Sequence, residues 1–111
     1  MPLYYESETI AGVANQRTYG TGITSTEAEK KRIKKVIITV SDRANNYVEF
    51  WIEREKIASI IDTTLPIYSD AFRIEIEFDV EIETGRTFTP ALYCGSTPTS
   101  AYIVYCYEIV A

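Results

Sequence analysis

The chain has 111 residues, a formal net charge of −5 at pH 7 and no histidine. This length fits one domain with a single core, and the acidic balance argues against a protein that binds nucleic acid or an anionic membrane through a basic face. Without histidine there is no Ser-His-Asp or Cys-His arrangement, and no P-loop, GxGxxG or EF-hand motif occurs. We therefore expect a protein that is not an enzyme and has no cofactor and no metal site.

Residue usage favours strands over helices. Fifteen Ile and seven Val stand against three Leu, with nine Tyr and thirteen Thr, and β-branched and aromatic side chains suit a pleated, half-buried surface. Scarce Gln, Met and Asn beside abundant Glu, Lys and Ile are compatible with a thermophilic source. The N-terminus lacks the basic start and apolar run of a secretory signal, and no stretch is apolar for long enough to span a membrane. We expect a soluble protein that is made in the cytoplasm.

Residues 1–26 are predicted to form an N-terminal arm or edge strand, and residues 27–111 a β-sandwich domain. The segment AGVANQRTYGTGITST holds three of the five Gly and many small polar residues, which is typical of a loop or arm. Such an arm has little to bury against the roughly 1 to 2 kcal/mol of backbone entropy lost per ordered residue, so we expect it to contact a neighbouring subunit. The anchors would be its apolar and aromatic side chains, Tyr4, Tyr5, Ile10 and Tyr19.

The middle of the chain predicts a hairpin. TSTEAEKKRIKK has capping residues, then acids, then bases, and fits either a two-turn helix or an extended lead into a strand. KVIITV, the turn formers SDRANN and YVEFWIE then predict two paired strands. In the second strand Val48, Phe50 and Ile52 share one face. Trp51 lies among carboxylates on the other face, so we place it at a rim or in an interface.

Alternation is clearest in the second half of the chain. Residues 55–70 fit a strand or one helical turn before Pro66, and we predict a strand. From Phe72 to Ile82 apolar residues alternate with charged ones, which predicts a central strand with its apolar face in the core. Gly85 predicts a turn into a short return strand that ends at Pro90. ALYC is predicted as another strand, and AYIVYCYEIV, apolar on both faces, as a strand covered on both sides.

Seven to eight short strands joined by Gly, Pro and Thr turns predict an all-β fold, an antiparallel β-sandwich of the jelly-roll or immunoglobulin-like type. Cys94 and Cys106 are too few for a structural zinc site. We also expect that they form no disulfide across the hairpin they flank. If the strands turn symmetrically about STPTS, residue 94 lies opposite residue 102, which is about 13 Å from residue 106.

Two charged segments are candidate interface elements. The acidic row of the long strand comprises Glu75, Glu77, Asp79, Glu81 and Glu83. The basic run comprises Lys30, Lys31, Arg32, Lys34 and Lys35. Each segment fits a solvated face. The acidic row alternatively fits a calcium site. If identical copies pack side by side, the basic run of one copy meets the acidic row of the next, a heterologous contact that makes rings or lattices.

In architecture the chain resembles small single-sandwich viral capsid and capsid-decoration proteins. The resemblance rests on the arm-like residues 1–26, the strand pattern from Ile33 to Val110 and the absence of catalytic motifs. With the aromatic side chains available for interfaces, it implies a structural subunit of a virion or other extracellular assembly. Its partners would be copies of itself or another structural protein, in a capsid, decorated shell or filament. The alternative is a carbohydrate- or protein-binding module that uses loops such as DRANN or GSTPTS and exposed aromatics such as Trp51.

Overall fold

The computed structural model describes residues 2–40, 46–61, 67–68 and 71–110, and the side chains of these residues except 60, 61, 67, 68 and 71–73. Most of the DRANN loop, Pro66 and the side chain of Phe72 therefore lie outside the described residues. The described chain forms ten strands and no helix. They are β1 (Tyr4–Ala11), β2 (Arg17–Tyr19), β3 (Ile23–Thr24), β4 (Lys31–Val40), β5 (Tyr47–Ile52), β6 (Glu55–Ile61), β7 (Ile67–Tyr68), β8 (Ala71–Glu81), β9 (Thr87–Tyr93) and β10 (Ser100–Ile109).

The strands build two antiparallel sheets that pack face to face, which confirms the predicted β-sandwich. Sheet A has the strand order β1-β10-β4-β8-β7, and sheet B the order β2-β9-β5-β6, with β3 also paired to β9. No helix in the described part of the chain is long and apolar enough to cross a membrane.

The local connections differ from the predicted ones. The prediction that β4 and β5 form a hairpin is wrong. Strand β4 pairs with β10 and β8, whereas β5 pairs with β6 and β9. The turn at Gly85 likewise carries the chain from sheet A to sheet B, so β9 does not return along β8. The helical interpretation of the basic run is also wrong, since β4 begins at Lys31. Turn residues mark where a chain reverses, but long-range pairing decides which sheet receives the next strand.

The core lies between the sheets and contains a cluster of aromatic rings from both. Phe50 and Phe88 of sheet B stack with their ring centroids 5.4 Å apart. Phe78 of sheet A meets both edge-on at 5.5 and 5.7 Å, and Tyr105 meets Phe88 at 6.1 Å. Edge-to-face and offset contacts at these distances add to the burial of the rings. The cluster therefore joins the two layers near the middle of the sandwich.

Strand β8 has the predicted faces but not the predicted central position. Glu75, Glu77 and Asp79 are exposed, whereas Ile76 and Phe78 face the core and are only half-buried. β8 has β4 on one side and on the other only the two residues of β7. The middle strand of sheet A is β4 instead. Alternation shows which face of a strand points inward, but how deeply that face is buried depends on how many strands lie on either side of it in the sheet.

The N-terminal segment belongs to the sandwich. β1 is an edge strand that pairs along its length with β10, and β2 and β3 pair with β9. Ile10 and Ile23 are 3% and 2% exposed, so Ile10 anchors this segment to its own core and not to a neighbouring subunit. The premise that residues 1–26 have little to bury within their own chain is therefore wrong, and contacts of Tyr4, Tyr5 and Tyr19 with a neighbouring subunit stay a prediction.

The carboxylate of Glu8 in β1 points inward and accepts hydrogen bonds from other parts of the chain. Glu8 accepts hydrogen bonds from the backbone N–H groups of Thr21 and Gly22, both at 2.8 Å, and from the Tyr105 hydroxyl at 2.7 Å. Gly22 has φ 77° and a Cβ there would collide with the carbonyl of Phe88, so glycine is required. Burial raises the pKa of Tyr105, and Glu8 raises it further. Glu8 therefore connects the edge of sheet A to the link between β2 and β3 of sheet B.

Pro90 lies inside β9, which is one strand where the sequence predicted two. Residues 88–93 pair continuously with β5 on one side. On the other side the Pro90 carbonyl accepts a 2.9 Å hydrogen bond from Gly20, in the gap between β2 and β3. The N–H and C=O of a residue in an antiparallel strand face the same neighbour. The N–H that proline lacks would therefore point to this gap and not to β5.

Strand β10 has one buried face and one mixed face. Ala101, Ile103 and Tyr105 are buried, but on the other face Tyr102 is 47% exposed and Cys106 is buried. The prediction that β10 is covered on both sides is thus wrong at Tyr102. Both cysteines are free, as predicted, although β9 and β10 lie in different sheets and form no hairpin.

Candidate interaction surface

The outer face of sheet B carries a cluster of aromatic and charged side chains. Alternate residues of its strands point outward, while Val48, Phe50 and Leu92 point into the core. We call this cluster the aromatic patch. It comprises Arg17, Tyr19, Tyr47, Glu49, Trp51, Lys56 and Tyr93. The three tyrosines are 39% to 56% exposed, so the patch presents aromatic surface to its surroundings.

The strand register brings these distant residues together. Tyr93 lies opposite Arg17 on one side and Tyr47 on the other. In the same sheet Ala91 lies opposite Glu49, and Ala91 is fully buried although it points outward. Because Ala91 carries only a methyl group, larger neighbours close over it. The centre of the patch is therefore packed.

A buried carboxylate forms the centre of the aromatic patch. Glu49 is 3% exposed and accepts hydrogen bonds from Arg17 Nε at 2.7 Å, Arg17 Nη2 at 3.3 Å and Trp51 Nε1 at 3.3 Å. Lys56 Nζ lies 3.5 Å from its other oxygen. Burial alone would raise the pKa of Glu49, but the bonds from Arg17 and Trp51 and the charge of Lys56 outweigh it and lower that pKa. Glu49 is thus held as a carboxylate.

The cations of the patch also contact its aromatic rings. The Arg17 guanidinium carbon lies 5.1 Å from the ring centroid of Tyr93 and 5.7 Å from that of Trp51, within the range of a cation–π contact. Lys56 Nζ lies 5.9 Å from the Trp51 ring. Tyr19 meets Trp51 edge-on at 6.2 Å. These contacts hold the side chains in place before any partner arrives, and they cover at least one face of the Trp51 ring.

The predicted basic and acidic segments lie on the opposite side of the molecule, where they pair with each other. Lys30, Arg32, Lys34 and Lys35 of the basic run form ion pairs at 2.9 to 3.7 Å with Glu75, Asp79, Glu81 and Glu83 on the outer face of sheet A. The hydrogen bond from Arg32 lowers the pKa of Asp79, and the bond to Glu75 raises that of Lys35. A neighbouring copy is therefore not needed to pair the basic run with the acidic row, because antiparallel β4 and β8 already place them side by side.

Two residues of these segments stand apart from the ion-pair ladder. Lys31 donates a 2.8 Å hydrogen bond to the carbonyl of Thr24, and its Nζ lies 5.5 Å from the ring of Tyr107. Glu77 is exposed and has no ion-pair partner among the described residues. No three His, Cys, Asp or Glu side chains in the described chain converge as metal ligands, so the acidic row offers no calcium site there.

The exposed tyrosines of β1 lie on different sides of that strand. Tyr4 stacks on Tyr107 with the ring centroids 5.7 Å apart. Burial and Glu6 raise the pKa of Tyr107 to about 12. Tyr5 lies on the outer face of sheet A beside Cys106, and the hydrogen bond between them raises the pKa of Tyr5.

Sequence reasoning found only part of the aromatic patch. Tyr19 and Trp51 were candidates and lie in it, whereas Arg17, Glu49, Lys56 and Tyr93 were missed. The alternation in YVEFW shows that Glu49 and Trp51 share a face. It does not show that Arg17, 32 residues upstream, covers Glu49.

Comparisons with known proteins add nothing to this description of the surface. No protein-family model matches the chain. Neither curated proteins nor solved structures show a match to it.

Proposed function

We propose that the protein is a non-enzymatic structural subunit that self-assembles, or docks onto a larger particle, through the aromatic patch. The observation that carries this proposal is the set of exposed tyrosines and Trp51 ordered around Arg17 and the buried Glu49. Tyr, Trp and Arg are the residue types that dominate binding energy in protein interfaces. The resemblance to small capsid and capsid-decoration proteins, with a place in a virion or other extracellular assembly, stays a prediction.

The order of the patch favours a protein partner. Side chains that are already fixed lose little conformational entropy on association. The molecule measures 42 × 30 × 18 Å along its principal axes. The area of a face that spans the two longer dimensions is larger than the roughly 800 Å² that each partner buries in a standard interface.

Sedimentation velocity over a wide concentration range tests this function. We expect the wild type to form oligomers and Trp51→Ala to weaken their association about tenfold or more, because its indole contacts Arg17, Lys56 and Tyr19 within the patch. Tyr4→Ala is the matched control, since Tyr4 is an exposed aromatic residue that stacks on Tyr107, away from the patch. Circular dichroism confirms that each variant is folded. A wild type that stays monomeric, or a Trp51→Ala variant that assembles like the wild type, would contradict self-assembly through this surface.

A carbohydrate-binding module is the second candidate. The hydroxyls of Tyr19, Tyr47 and Tyr93 around a charged centre are groups that hydrogen-bond to sugars. The cations over Trp51 weigh against it, because a sugar ring stacks on an uncovered aromatic face. A monomeric protein with glycan-array binding that is lost in Trp51→Ala would favour this candidate over assembly.

A further inference from the structure

We infer that the neighbour bound to the aromatic patch is another copy of this chain, which presents the outer face of its sheet A. This inference rests on the proposed function and names the partner surface. It follows from the charges and apolar side chains of the two outer faces of the sandwich, which are complementary to each other.

Among its described side chains, the outer face of sheet A has an excess of carboxylates. Between residues 75 and 83 and at residue 108 it carries six of them, which are Glu75, Glu77, Asp79, Glu81, Glu83 and Glu108. Four cations pair with them, which are Lys30, Arg32, Lys34 and Lys35. Two negative charges therefore remain in excess on this stretch. Glu77 is the exposed carboxylate without an ion-pair partner in the described chain.

The aromatic patch has the opposite balance. Arg17 and Lys56 both pair with the single carboxylate of Glu49, so the patch carries one positive charge in excess on a chain whose net charge is −5. Two patches facing each other would bring like charges together, which disfavours a symmetric contact. A carboxylate-rich surface suits the patch better, and sheet A of the same chain supplies one.

Apolar surface lies beside the acidic stretch. Tyr5 and Tyr102 are 56% and 47% exposed on the outer face of sheet A. Val104 and Ile37 lie opposite each other between them and are only half-buried. Ile37 lies opposite Glu75, and Glu77 is two residues further along β8. This strip beside the carboxylates matches a partner that offers tyrosine and tryptophan rings beside cations. Apolar burial would supply affinity, and the charges would set orientation.

The position of the two faces decides what kind of assembly results. The outer faces of a two-layer sandwich point in opposite directions, so a contact between face A and face B leaves one free face on each copy. Such a heterologous contact repeats and makes an open chain or a ring. A closed two-fold dimer is excluded by this arrangement.

Mixing two variants that each lack one face tests the inference. Trp51→Ala disables the patch, and Glu77→Lys disables the acidic face. We expect each variant alone to sediment as a monomer at concentrations where the wild type forms larger species. Their equimolar mixture should form one-to-one dimers and nothing larger, because only one competent pair of faces remains. Glu27→Lys, an exposed glutamate in the link before β4, is the control with the same charge change and should assemble like the wild type.

The outcomes separate this inference from the proposed function. If Trp51→Ala is monomeric but Glu77→Lys and Tyr102→Ala both assemble like the wild type, the patch is an interface but sheet A is not its partner, and the inference is overturned. A mixture that stays monomeric also overturns it. If Trp51→Ala itself assembles like the wild type, the proposed function fails. Tyr19→Ala, at a more exposed position of the patch, repeats the test should Trp51→Ala not fold.

Discussion

The two outer faces of the sandwich hold ion pairs of the same chemistry at very different depths. On sheet A the carboxylate of Asp79 is 66% exposed, and its partners Arg32 and Lys34 are about one-third exposed. On sheet B the carboxylate of Glu49 is 4% exposed beneath Arg17. Surface pairs gain little because water and salt screen them, whereas a buried carboxylate depends on each of its partners. The difference shows that the ladder on sheet A organises a solvated face, while the pair on sheet B fixes the geometry of the patch.

Removing the arginine from each face gives the largest expected difference. Arg17→Met leaves Glu49 buried with fewer donors, and we expect a loss of about 2 kcal/mol in the free energy of unfolding. Arg32→Met removes the equivalent partner from the exposed Asp79 and should cause a clearly smaller loss. Denaturant melts of both variants measure this difference. Equal losses would contradict the contrast between the two faces.

The dependence of stability on acidic pH should also differ between Glu49 on sheet B and Asp79 on sheet A, by less than the difference between the two arginine variants. The folded state lowers the pKa of Glu49, so its stabilising contribution is present above the unfolded pKa of about 4.3 and is lost as the pH falls through the folded value. Glu49→Gln should remove this contribution, so its stability should fall less than that of the wild type on acidification. Asp79→Asn, where the pKa is also lowered but the group is exposed, should flatten the profile less. A Glu49→Gln profile parallel to that of the wild type would show that this carboxylate is not held in its charged form.

The sequence predicted the fold class and the strand faces because both depend on short-range patterns. Alternation placed Phe78 inward and Asp79 outward, as the structure shows. Sheet membership depends on pairing between distant strands, so the expected hairpins around residues 41–46 and at Gly85 were wrong. The burial of Ile10 was missed for the same reason, since β10 lies some 90 residues further along the chain.

The candidate surface was even less accessible to sequence reasoning. An acidic residue at an outward-facing position, such as Glu49, is normally exposed, and only the arrival of Arg17 and Lys56 from two other strands buries it. The charge pattern indicates that the basic run and the acidic row are complementary, but it does not show that they meet within one chain rather than between copies. Antiparallel pairing of β4 with β8 brings them together within one chain.

Trp51 is the only tryptophan of the chain, so its fluorescence reports directly on whether the aromatic patch is the contact surface. The measurement is acrylamide quenching of Trp51 at increasing protein concentration, with the oligomeric state followed in parallel by sedimentation. If the patch is buried on assembly, quenching should fall as oligomers form, and the Tyr4→Ala control should behave in the same way. Oligomers that form while the quenching of Trp51 stays at its monomer value would contradict the account.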